Sequence, residues 1–297
     1  LIRPKLLTAT GDPDIYIGER EYISGPGTYS FKVPLSVTRI HACCIGGGAQ
    51  GAAQSNSYQE DWDGGGGGGL GWANNIEVEP GEELTIQVGG TVGINGANAN
   101  DGDSFIKRGD DILVAGHAPG NTYGNFINGG TFVGDGGGEG GRGAGNSTWT
   151  GENGTRYVKN KGSGGGAGGY TGNGGNGSIY GGENAGTGGA GSGGVSRNND
   201  WNGNFTQSAV GSRGGGTGIL GAGASGAAPR PSAVEFWSSA PQQPGFPGSG
   251  GDKMEFGAGG AGEKDGWDGS DNTQAGHGAV RIIWGNQFSY PNNADVK

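Results

Sequence analysis

Cysteine is almost absent from this chain: two residues, Cys43 and Cys44, in 297. Adjacent cysteines cannot readily close an unstrained disulfide, so a disulfide-stapled scaffold is excluded. They read instead as two small apolar side chains on opposite faces of a strand. Histidine is nearly as scarce. His41, His117 and His277 are far apart in sequence and have no nucleophile motif beside them, so the sequence gives no catalytic residues and no enzyme activity. His41 falls within a strand and reads as structural. Long apolar runs are missing as well. None approaches the roughly 20 residues that cross a bilayer as a helix, so no membrane insertion is expected. No signal peptide is legible. The chain begins at Leu1 rather than methionine, and a preceding segment is expected. Basic charge is also low, with 18 Lys and Arg against 28 Asp and Glu, a net charge of −10. Phosphate binding needs clustered cations, so nucleic acid is excluded as a partner.

What the chain does have is glycine: 77 residues, with 12 prolines. Glycine loses more backbone freedom on folding than any other residue, and few side chains here can offset that loss by burial. Order must therefore come largely from backbone contacts, which the missing Cβ permits at close range. Flexible linkers are one reading of such tracts. Collagen is another, but it needs glycine at every third position, and Gly162-Ser-Gly-Gly-Gly-Ala-Gly-Gly-Tyr170 breaks that spacing. The remaining ordered arrangement is a bundle of three-fold extended helices packed side by side. At about 3.1 Å per residue, the six glycines Gly64 to Gly69 would span about 19 Å.

Period-two alternation predicts the strands. Tyr29, Phe31 and Val33 share one face; Val37 to Ile45 forms a second strand. Ile76 to Val88, broken by Pro80-Gly81, predicts a β-hairpin. Shorter strands are expected at Ser104–Lys107 and Ile112–Ala115, and a strong one at Ala279–Trp284. The expected organisation is an N-terminal arm or attachment segment (1–24), a β-framework with a glycine insertion (25–127), a glycine-rich helix and loop region (128–277), and a closing strand with a polar tail (278–297). The expected fold class is mainly β with extensive glycine-rich irregular structure. A β-sandwich-like framework would carry packed polyglycine-II-type helices and long loops.

Four tryptophans open similar turns: Trp62-Asp63-Gly, Trp149-Thr-Gly, Trp201-Asn202-Gly and Trp267-Asp268-Gly. Asx-Gly pairs favour tight turns, so each places a flat apolar ring beside an exposed tip. Rings flanked by carboxylates and amides suit carbohydrate recognition. Equally, they can cap glycine helices and exclude water. Calcium is not favoured: Gly259-Gly-Ala-Gly-Glu-Lys-Asp265 misses the β-roll pattern by one residue, and the acids read as solvated. No metal and no cofactor is expected. The sequons at Asn146, Asn153, Asn176 and Asn204 follow from composition.

The segment Pro26-Gly-Thr-Tyr-Ser-Phe-Lys-Val-Pro34, followed by Val37 to Ile45 and Gly46-Gly-Gly-Ala49, resembles the opening of a glycine-rich β-domain. That domain occurs in phage tail and virion-associated proteins, including those of marine cyanophages. Val78 to Gly89 and Gly278 to Gly285 are similar to its second element and its final strand. In layout the chain also resembles phage adhesins built on polyglycine-type helices, although its glycine runs are shorter and more interrupted. The resemblance implies an extracellular or virion location, a rigid glycine scaffold and variable loops that contact a host cell-surface glycan. It also implies other virion or fibre proteins as partners and a homo-oligomer. An extracellular filament subunit without a receptor, or a polysaccharide depolymerase, are the other readings the sequence admits.

Overall fold

The structure is a computed structural model that describes residues 17–51, 54–56, 59–61, 63–93, 102–119, 128–145, 147–150, 156–160, 162–178, 185–194, 212–227, 256–259 and 275–294. It is mainly β. One five-stranded antiparallel sheet has the order β1 (Gly18–Tyr22), β14 (Ala279–Trp284), β3 (Arg39–Ile45), β6 (Leu70–Glu77), β11 (Gly136–Gly138). A second has the order β10 (Phe132–Val133), β9 (Asp111–Gly116), β8 (Ser104–Arg108), β7 (Glu83–Val88), β2 (Gly27–Lys32). The first sheet takes its edge strand from the N-terminal region and the strand beside it from the C-terminal region.

Two cores follow from side-chain alternation. Between the sheets, Ile40, Ala42, Cys44, Val280 and Ile282 meet Phe31, Leu84, Ile86, Val88, Ile106 and Val114. Fully burying one such aliphatic side chain stabilises the fold by about 1.5–3 kcal/mol. The reverse face of the first sheet carries Cys43, Ile45, Leu70 and Ile283, covered by Tyr170, Ile219, Phe256 and Phe288. The two cysteines therefore point into different cores, and both are buried. Strand β14 is buried along its whole length because both its faces are covered. Its one charge, Arg281, is fully buried. It pairs with Glu19 at 2.7 Å and Glu21 at 3.4 Å and donates to the Ala294 carbonyl at 2.7 Å. Burial opposes its charge, but Tyr290 and the two carboxylates outweigh burial and hold its pKa up.

The hairpin expected at Ile76–Val88 does not form. β6 pairs with β3 and β11, whereas β7 pairs with β2 and β8. Pro80-Gly81 is instead a corner between the sheets. Gly81 (φ 84°) donates to Val33, and Val33 donates to Glu82. A turn signal marks where the chain reverses, not which strand it meets next.

At one end of both sheets the chain runs on into glycine segments joined by backbone hydrogen bonds. The bonds repeat every third residue. Gly165 donates to Gly65 and Gly168 to Gly68; Gly64 donates to Ala144 and Gly67 to Gly141. Segment 162–169 has neighbours on all sides. Beyond 64–69, it bonds 139–144 (Gly141 to Gly166), 172–178 (Gly166 to Gly175), 190–194 (Gly191 to Ala167), 212–217 (Gly164 to Ser212) and 256–259 (Gly259 to Gly165). These approaches exclude side chains: a Cβ on Gly165 would overlap the Gly141 carbonyl, and one on Gly67 that of Gly166.

Candidate functional site

The glycine segments have a near end, at the sheets, and a far end. Gly46 bonds Gly69 beside β3 and β6, which fixes the near end. At the far end the chain ends of several segments converge on Ser163, which is fully buried. Its hydroxyl lies 2.7 Å from the Ser178 carbonyl oxygen and 3.0 Å from that of Gly194, and it accepts the Ser178 N–H at 2.8 Å. Its own carbonyl accepts from Ala144, whose carbonyl accepts from Gly64. Ser212, buried, accepts from Gly164 beside it. The attachment points of 52–62, 146–161, 179–184 and 195–211 therefore gather at one pole. Gly259, the last described residue before 260–274, bonds Gly165 near the same end.

Two short hairpins rise from this pole. β4 (Gln54–Asn56) pairs with β5 (Gln59–Asp61), and β12 (Ser147–Thr150) pairs with β13 (Arg156–Asn160). β13 runs beside β5, so the hairpins are neighbours. Trp149 stands opposite Tyr157 in the β12–β13 register. Trp62 follows β5 directly but lies outside the described residues, as do Trp201, Asn202, Trp267 and Asp268. Asp63 is buried, on the scaffold side of the boundary. The structure thus brings the flanks of Trp62 and Trp149 together and roots the segment containing Trp201 and Asn202 at the same pole.

Sequence reasoning missed Ser163, Ser178 and Ser212. Their signal is positional: each is a small polar residue where a glycine run meets a Trp-, Asn- or Tyr-bearing segment. The histidines are held by neighbours. His117 lies 2.9 Å from Asp103, whose other oxygen accepts the Ala118 N–H at 2.8 Å. That hydrogen bond raises the His117 pKa against the effect of burial. His277 packs edge-on against Phe256. Among the described residues no three His, Cys, Asp or Glu side chains are grouped to hold a metal ion.

Comparison with protein-family models and with curated proteins finds no match.

Proposed function

We propose that the protein is a structural and receptor-binding component of a phage tail fibre or similar virion appendage, and not an enzyme. In this reading the glycine segments are polyglycine-II-type helices. The three-residue repeat of their hydrogen bonds supports that, since such helices turn once in about three residues. So does the ring of neighbours around 162–169. The observation that carries the functional reading is the convergence of chain ends on Ser163. A rigid body with its Trp-bearing segments rooted at one pole is suited to surface contact. Trp62, Trp149, Trp201 and Trp267, with Asn202 and Asp268, would meet a host cell-surface glycan, and Asp63 would anchor the base. Contact at each copy is weak, and a homo-oligomer on the virion supplies avidity.

The test is binding of the purified protein to cells of the host and to their extracted surface polysaccharide. Replacing Trp62 and Trp149 together with alanine should weaken binding at least tenfold, with the melting temperature unchanged. Full binding by that variant would remove these hairpins from the contact surface. Loss of polysaccharide chain length on incubation would favour the depolymerase reading instead.

A further inference from the structure

The pole opposite the glycine segments holds a cleft of about 540 Å³, lined by Ser36, Thr38, Arg39, His41, Asn75 and Asn286 and walled on one side by Trp284. It opens where β3 begins and β14 ends, so it is separate from the Trp-bearing pole.

Its shape comes from an irregularity in β6. The β3–β6 register shifts between Ile40 and Ala42, which leaves Asn74 and Asn75 beside His41. Asn75 has φ of 53°, a left-handed conformation that asparagine tolerates better than most residues. Bulges of this kind re-aim side chains and concentrate near sites. This one is pinned by three hydrogen bonds, two to Tyr290 and one to Asp135. The Asn74 amide donates to the Tyr290 carbonyl at 2.8 Å, its oxygen accepts the Tyr290 N–H at 2.9 Å, and its backbone N–H donates to Asp135 at 2.7 Å.

That pinning sets the imidazole. Asn74 Oδ1 is held as an acceptor, so His41 Nδ1, 3.0 Å away, carries the proton and donates to it. In the neutral ring Nε2 is then a bare acceptor. The Asn75 N–H also approaches Nδ1, at 3.4 Å, but a protonated Nδ1 cannot accept it, and the shorter contact to the fixed Asn74 oxygen sets the tautomer; His41 lines the cleft. Burial pushes the pKa of His41 down, which favours the neutral ring. The cleft is also lined by Ser36, Thr38, Asn75 and Asn286, each able to donate and to accept. Arg39 already faces the Glu77 carboxylate at 3.8 Å.

We infer that this cleft binds a neutral polyhydroxylated ligand of mono- or disaccharide size. An anion would meet a bare acceptor and an arginine that already has a counter-charge. Among the described lining residues a metal ion would find one imidazole and no carboxylate or thiol. A hydroxyl group satisfies the site, because it donates to Nε2 and accepts from the amides. This inference does not rest on the reading of the opposite pole.

The test is titration of the full chain with D-glucose, D-galactose, N-acetylglucosamine, lactose and sucrose, followed by saturation-transfer NMR and calorimetry. At least one sugar should bind saturably, and His41→Phe should weaken it at least tenfold. Ser36 is exposed, so Ser36→Trp fills the cleft mouth without touching the core. It should weaken binding equally and serves as the readout if His41→Phe does not fold. No saturable binding by any of the five sugars would overturn the inference. So would binding that both folded variants leave within twofold of the parent, since the sugar would then sit elsewhere.

Discussion

Gly165 and Gly93 carry the same side chain and have opposite surroundings. A Cβ on Gly165 would overlap the Gly141 carbonyl, whereas one on Gly93 meets nothing within 4 Å. Gly165→Ala must push apart a pair of closely packed segments, so it should cost about 1–3 kcal/mol and lower the melting temperature by several degrees. Gly93→Ala should stay within about 0.5 kcal/mol of the parent. Equal melting curves for the two variants would refute close packing of the segments. Nothing in the sequence separates these glycines, because the difference lies in which distant segment lies alongside. The cysteines were legible, since alternation alone assigns them to opposite faces. Burial, then the neighbouring Cys43, pushes the Cys44 thiol up. Both thiols should therefore resist iodoacetamide in the folded protein and react once it is unfolded in guanidinium.

Two of the histidines should make opposite contributions to the pH dependence of stability. His117 has its pKa raised by Asp103. Its contribution is complete below the unfolded value of about 6.5 and is lost as pH rises through the higher folded value. His41 has its pKa lowered by burial. Its contribution is present above about pH 6.5 and is lost as pH falls through the lower folded value. Asp103→Asn should therefore remove stability on the acid side of His117's folded pKa and leave the alkaline side little changed. Denaturant melts across a range from about pH 4 to about pH 9 measure this. A uniform loss at all pH values would show that Asp103 acts through its bond to Ala118 rather than through charge.

At the scale of elements, β2, β3, β7, β8, β9 and β14 were legible and β6 only at its end near Ile76, whereas β4, β5, β10 to β13 and the pairing of the strands were not. Residues 83–88 alternate exposed and buried in near-strict order, as a sheet covered on one face requires. Ala279–Trp284 reads as a nearly continuous apolar run because both its faces are covered. Pairing depends on the whole topology, which is why Pro80-Gly81 suggested a hairpin and the structure has a corner. β1, only five residues and bearing Glu19 and Glu21, carried too little apolar pattern to announce itself. Its acids become intelligible only once Arg281 lies beside them. Of the four Trp turns the sequence suggests, Trp62, Trp201 and Trp267 lie outside the described residues and Trp149 lies in β12; the common root of their segments at Ser163 was not legible, because contact between distant glycine runs leaves no periodic trace. Since, among the described residues, β12 and β13 form a two-stranded sheet with no third strand, replacing 147–160 with a short Gly-Ser linker should leave the melting temperature within a few degrees. A collapse of stability would show that this hairpin belongs to the scaffold.

At the scale of the molecule, side-chain burial supports one half and backbone hydrogen bonding the other. The sheets hold two apolar cores, and the glycine segments carry the chain from them to the pole where the Trp-bearing segments are rooted. A net charge of −10 disfavours non-specific attraction to nucleic acid or to an acidic membrane. The most direct test of the appendage reading is immunogold electron microscopy of the native source with an antibody against this chain. Our account predicts label on phage tails or their fibres. Continuous label along free filaments, with none on virions, would contradict it and make a filament subunit the working description.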